Sequence, residues 1–92
     1  MTAVFEVRPT ASFKRHLKKL IARHPELVDR YADALAALEK DPHNRTRTHN
    51  IKKLELGRYR LRSGRWRFIY SIAGRVVFLH YCGLRREDTY RS

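Results

Sequence analysis

Acidic side chains are scarce in this chain: nine Asp and Glu stand against 21 Lys and Arg in 92 residues, for a formal net charge of +12. That imbalance excludes a self-neutralised surface and points to phosphate-rich or strongly acidic partners. Cysteine is nearly absent. Cys82 stands alone, so no internal disulfide or paired-cysteine metal site can form, and a reducing cytosol suits the chain. No apolar run approaches the roughly 18–20 residues of a membrane span, and the N-terminal MTAVFEVRPT lacks the apolar core of a signal peptide. The expectation is a cytoplasmic protein with no membrane partner. Only three prolines and four glycines occur, and they form no linker, repeat or low-complexity tract. One domain over residues 1–92 follows.

The charge is unevenly placed. Residues 1–44 carry 8 basic and 6 acidic side chains, whereas residues 45–92 carry 13 and 3. The positive field therefore belongs to the second half.

Hydrophobic periodicity divides the chain in the same place. Residues 3–8, AVFEVR, read as a first strand stopped by Pro9. Phe13, Leu17, Leu20 and Ile21 form a helical stripe behind Ser12, a candidate N-cap. Pro25 suits the first turn of a second helix, Glu26 and Asp29 its positive end, and Leu27, Val28, Tyr31, Leu35 and Leu38 form its stripe. Asp41-Pro42 ends it. The short junction implies an antiparallel helix hairpin. After the polar stretch HNRTRTHN, β-prone runs are expected at about 52–62, 65–72 and 75–82, divided at Ser63-Gly64 and Ala73-Gly74. The polar final segment GLRREDTYRS reads as an irregular tail. The expected fold is α+β: an N-terminal strand and an antiparallel two-helix hairpin packed on one face of an antiparallel sheet, whose C-terminal part is a three-stranded meander.

With two-residue loops at those dipeptides, Arg62 opposes Arg65, Arg60 opposes Arg67 and Tyr59 opposes Phe68. Arg58, Arg60, Arg62, Arg65 and Arg67 then share one face, while Tyr59, Leu61, Trp66, Phe68, Tyr70 and Ile72 share the other. Across the next hairpin, Arg67 opposes His80 and Arg65 opposes Cys82 on the basic face, and Trp66 opposes Tyr81 on the apolar one. Ile69 and Phe78 fall among the arginines as an apolar floor. The apolar face seats the helices; the basic face stays open. A single arginine on a sheet face is ordinarily just solvated. Like charges directly opposed across strands, however, destabilise by about 0.2–1 kcal/mol per pair, so this cluster suggests a face that waits for an anion. Guanidinium forks hydrogen-bond phosphate in pairs and stack on bases, which fits a nucleic-acid backbone and also an acidic protein segment.

No metal-ligand cluster, phosphate-cradling glycine loop or nucleophile motif accompanies the arginines. A ribonuclease without metal or cofactor needs only groups that polarise a phosphate and groups that move two protons. Arginines supply the first. For the second, His80 and Tyr90 are the nearest candidates, although a lone strand histidine is usually structural. Cys82 reads as an ordinary strand residue.

The segment LELGRYRLRSGRWRFIYSIAGRVVFLHYCGLRREDTY resembles the C-terminal half of the RelE/ParE superfamily of bacterial and archaeal type II toxins. The shared pattern is a K-L … Y-R-L-R-x-G-x-[YW]-R-x-[IV]-Y hairpin, an apolar strand, then G-x-R-R … Y. Here it reads Lys53-Leu54, Tyr59 to Tyr70, Val76 to Leu79 and Gly83 to Tyr90. The preceding strand and helix hairpin match the family layout, so the resemblance spans essentially the whole chain. It implies a toxin held in a hetero-oligomer by a cognate antitoxin. In the RelE-like branch such a toxin binds the ribosome, against 16S rRNA and mRNA in the A site, and cuts the mRNA: the 2′-oxygen attacks the adjacent phosphate, leaving a cyclic phosphate and a free 5′-hydroxyl. By motif position, Arg67 matches the phosphate-stabilising arginine, Arg85 the C-terminal catalytic arginine, and Tyr90 the tail tyrosine that acts near the base. Arg58 and Arg60 stand where RelE has lysines. Arg60 is counted here with the catalytic positions, and Arg58, Arg62, Arg65, Lys52, Lys53 and Arg86 with the RNA-binding ones. Two departures stand out. Arginine is a poor general base, and the Arg85 to Tyr90 spacing is one residue shorter than in RelE. The ParE-like branch shares the fold but inhibits DNA gyrase; the retained Arg67, Arg85 and Tyr90 favour the RNase branch. A non-catalytic module binding nucleic acid or acidic peptide is the third reading.

Overall fold

The structure is a computed structural model that describes residues 5–84. The elements are β1 (Glu6–Pro9), α1 (Ala11–Arg23), α2 (Leu27–Lys40), β2 (Ile51–Lys53), β3 (Arg58–Ser63), β4 (Trp66–Ala73) and β5 (Val76–Leu84). The five strands form one sheet in the order β1-β5-β4-β3-β2. This is the expected α+β architecture, with two refinements. The sheet is mixed, because β1 enters at its edge parallel to β5. The run expected as one strand at 52–62 is two strands, folded back at a tight turn where Leu54 N–H bonds the Arg58 carbonyl at 2.7 Å. Leu56 (φ 59°) and Gly57 (φ 71°) both adopt left-handed conformations there. Gly57 tolerates that geometry at no steric cost; Leu56 does not, and it stands 93% exposed at the tip.

α1 starts two residues earlier than the sequence suggests. Its N-cap is Thr10, not Ser12: the Thr10 hydroxyl accepts from the Phe13 amide at 3.2 Å. Pro25 and Glu26 fall just before α2, with Glu26 as N-cap residue and Asp29 in the first turn. The inner stripe of α2 is Leu27, Tyr31, Ala34 and Leu38, at i, i+4, i+7 and i+11. Val28 lies off that stripe and is 50% exposed, contrary to expectation.

Both central hairpins turn through glycine, but one residue later than the dividing dipeptides. Ser63 opposes Trp66 around Gly64-Arg65, and Ala73 opposes Val76 around Gly74-Arg75. Gly64 (φ 64°) and Gly74 (φ 60°) supply the positive φ at the first turn position. The displacement slides each register by two residues, so the strand side chains from Tyr59 to Leu79 keep their expected faces, and only the residues drawn into the turns, Arg65 among them, leave theirs. Phe13 and Leu17 from α1 and Leu27, Ala34 and Leu38 from α2 then meet Leu61, Trp66, Phe68, Tyr70, Val77, Leu79 and Cys82 in one buried core. Each large apolar side chain buried this way contributes about 1.5–3 kcal/mol.

Asp41 fastens the loop after α2 to the end of that helix. The carboxylate is 9% exposed. It accepts from the Arg45 amide (2.8 Å), the Thr46 amide (3.0 Å) and the Thr46 hydroxyl (2.6 Å), which folds the polar loop back on the end of α2. Next to it, the buried Tyr70 hydroxyl donates to the Pro42 carbonyl at 2.7 Å. Burial acts to raise the Asp41 pKa, but the bonds from Thr46 and Arg45 and the nearby His49 outweigh it and hold the pKa below the ordinary carboxylate value. The carboxyl thus releases its proton more readily folded than unfolded. Its stabilisation is full above the unfolded value of about 3.9 and fades as pH falls through the lowered folded value. Asp41→Ala, which strands the amides it serves, should cost about 1–3 kcal/mol at pH 7, read by thermal unfolding. The deficit should shrink in acid; a variant as stable as the parent at pH 7 would refute this role.

Candidate nucleic-acid interface

Strand alternation places Lys52, Arg58, Arg60, Arg62, Arg67, Ile69 and Ser71 on the sheet face opposite the helices. Registered pairs arrange them as rungs across the sheet. Arg62 opposes Arg67, which opposes Gly83; Lys52 opposes Arg60, which opposes Ile69 and then Tyr81; Arg58 opposes Ser71, which opposes Phe78. No acidic residue occupies any position of these three rungs. Two like-charged pairs, Arg62 with Arg67 and Lys52 with Arg60, are directly opposed. They are not the pairs expected from sequence, but they too set like charges side by side, an arrangement that taken alone disfavours strand pairing. Ile69 and Phe78 lie among the arginines as expected.

Arg65 and Lys53 are not part of this face. The one-residue shift of the turn puts Arg65 at the hairpin tip, exposed, where its guanidinium lies 3.7 Å from the Glu26 carboxylate at the start of α2. Such an exposed pair is worth little. Lys53 opposes Tyr59 and alternates to the helix side of the sheet edge. Arg85, Arg86 and Tyr90 lie outside the described residues.

β5 carries an irregularity the sequence does not announce. Tyr70 opposes Leu79 while its neighbour Ile69 opposes Tyr81, so His80 is an extra residue in a β-bulge. Beyond it, every side chain changes face relative to expectation. Cys82, expected beside the arginines, opposes Phe68 in the core and is fully buried. Burial pushes its thiol pKa up to about 12, so it is no nucleophile. Tyr81, expected under Trp66, is instead exposed on the basic side. The strong burial tendency of cysteine was the available signal for this exchange. His80 does not face Arg67, which opposes Gly83. Its Nε2 lies 2.8 Å from the Ser71 hydroxyl on the open face. Burial, and then the charge of Arg58, lower its pKa from the usual value, so the imidazole is neutral at pH 7.

Chemically, this face can hold anions through several guanidiniums and offers one neutral imidazole within the same sheet. No family model matches the chain, and no curated protein matches it by sequence. Solved structures do match. RelE in the archaeal RelE–RelB complex from Pyrococcus horikoshii OT3 superposes with a TM-score of 0.71 at 23% identity, over 91% of this chain and 98% of that one. The chain has the RelE-like toxin fold. YafQ from E. coli strain BL21(DE3) superposes with a TM-score of 0.70 at 11% identity, over 94% and 98% of the two chains. The toxin–antitoxin complex RelBE2 from Mycobacterium tuberculosis gives 0.57 at 23% identity, over 88% and 98%. Within this RelE-like fold, the basic face is formed by β2, β3 and β4.

His80 offers a direct test of this geometry. In an NMR titration its imidazole should titrate below the unperturbed value of about 6.5, and Arg58→Gln should move it upward. Because the folded pKa is the lower one, His80 favours the folded state above about pH 6.5 and loses that effect as pH falls through the folded value. A titration at or above the unperturbed value would contradict the packing described.

Proposed function

We propose that this chain is the toxin of a type II toxin–antitoxin pair and that it cleaves mRNA on the ribosome. The observation that carries the proposal is the open face of opposed cations, Arg62 against Arg67 and Lys52 against Arg60, on a fold matched by RelE and YafQ. Several cations set side by side on one open face match a ligand with closely spaced phosphates. A cognate antitoxin would cover it between rounds of activity; the Pyrococcus RelE is found in a complex with RelB, and RelBE2 of Mycobacterium is a toxin–antitoxin complex.

In the proposed reaction, the ribose 2′-oxygen attacks the adjacent phosphorus, the bond to the 5′-oxygen of the next nucleotide breaks, and a cyclic phosphate and a free 5′-hydroxyl form. Arg67 stabilises the charge that gathers on the non-bridging oxygens. Arg58, Arg60, Arg62 and Lys52 hold the backbone on either side. Arginine keeps its proton at all relevant pH values, so these residues bind and polarise rather than shuttle protons. His80 is the group on this face able to accept one: it is neutral at pH 7 and oriented by Ser71. By the resemblance, Arg85 and Tyr90 complete the site from the tail. Cytoplasmic action agrees with the absence, among the described residues, of any helix long and apolar enough to cross a membrane.

The decisive experiment adds the protein to an in vitro translation reaction and maps the mRNA ends. Cuts should appear within the ribosomal A site, and Arg67→Ala should lower cleavage by about 10²–10³-fold while keeping the parent's thermal stability. Intact transcripts, together with SOS induction and trapped DNA breaks in cells expressing the protein, would replace this reading with gyrase inhibition.

A further inference from the structure

The β-bulge at His80 brings out an aromatic ring with no place in the catalytic scheme. Tyr81 is 46% exposed, while none of the other described Phe, Trp or Tyr side chains is exposed to solvent to that degree. Two features fix its position. Tyr81 and Gly83 are two residues apart on one strand, and Gly83 directly opposes Arg67. A Cβ at Gly83 would collide with the Tyr81 hydroxyl and ring end. The ring therefore lies along β5 over Gly83, its hydroxyl end in the space a side chain opposite Arg67 would fill. β1 pairs with β5 only as far as Leu79, so β5 is the sheet edge at Tyr81, and at that edge the imidazole of His16 on α1 stacks against the ring, with centroids 5.6 Å apart and planes 23° from parallel.

We propose that Tyr81 is a stacking platform for an unpaired RNA base, adjoining the position where Arg67 holds a phosphate. The inference rests on the RNA-binding reading of the basic face and extends it to the bases. An aromatic ring beside a lane of cations is the arrangement by which proteins hold single strands irrespective of sequence: the cations follow the backbone and the ring takes a base. Here the ring is held by His16 and by the missing side chain at Gly83, so little rotamer freedom remains to be lost on binding. Its neighbour across the sheet, Ile69, is apolar and offers the base edge no competing polar group.

The test is fluorescence anisotropy of a labelled short single-stranded RNA against the full chain, repeated over a range of salt concentrations. Tyr81→Ala should weaken binding by roughly 5- to 150-fold, the range of base–aromatic stacking, and leave the salt slope unchanged because no charge is lost. Tyr81→Phe should bind like the parent. Arg67→Ala should instead flatten the salt slope by about one counterion. Gly83→Ala, which forces the ring aside, should reproduce the Tyr81→Ala loss. Equal affinity for the parent and Tyr81→Ala overturns the proposal. So does a Tyr81→Phe loss as large as that of Tyr81→Ala, which would assign the effect to the hydroxyl. A parent chain that does not bind the RNA removes the nucleic-acid reading of the face and this proposal with it. Binding without cleavage on ribosomes leaves the platform standing and removes only the enzymatic reading.

Discussion

Everything on the sheet depends on a two-residue period held in phase by two glycine turns. Along β3, aromatic or aliphatic residues alternate with arginine; along β4, Trp66, Phe68, Tyr70 and Ile72 alternate with Arg67, Ile69 and Ser71. Because successive side chains point to opposite faces, a slip of one residue would bury the guanidiniums beneath the helices and expose Trp66, Phe68 and Tyr70 to water. Gly64 and Gly74 prevent this by fixing where each strand reverses. The alternation thus serves the core and the open face at once, and neither can be altered without the other. It also explains why a small chain tolerates directly opposed like charges: the aromatic core on the reverse side of the same strands is worth several times the repulsion on the front.

Much of this was legible in the residues. Two helical stripes, two glycine turns and the strict alternation led to the layer arrangement and to the basic face. The turns were misplaced by one residue each, yet moving a turn by one slides the pairing by two, and parity protected the faces. What could not be read was any event that breaks parity. The bulge at His80 is such an event, and past it Tyr81 and Cys82 exchanged sides. Nothing in the string VVFLHYC marks the extra residue by periodicity, since every side chain there is compatible with a strand interior. The fold-back at Leu56-Gly57 was hidden for a related reason: a lone glycine after leucine inside a β-prone run reads as a weak point in one strand rather than as a corner between two. The N-cap falls at Thr10, one alanine before the hydroxyl expected to serve at Ser12, and only the backbone decides between them.

The candidate site was legible in kind rather than in detail. Arg58, Arg60, Arg62 and Arg67 share a face as the alternation requires. Arg65 left it because it is a turn residue, and Lys53 because it is out of phase with Lys52. The aromatic that joins the face, Tyr81, was assigned to the core by the same period that worked elsewhere. Sequence patterning is thus reliable where a strand is regular, and least so at a sheet irregularity. On this chain the irregularity lies at the basic face, where a re-aimed side chain has the most to reach.

The parallel pairing of β1 with β5 has a temporal side. Glu6 to Pro9 are made well before the strand they lie against, Val76 to Leu79. Contacts this distant in sequence slow the search for the native state, and they mean that the first strand has no partner while the chain is still emerging. The helix hairpin can form early from local contacts, but its apolar stripes have no sheet to cover until β3, β4 and β5 exist. Until β5 has emerged, the chain therefore has no finished core to hold the helices against the back of the basic face.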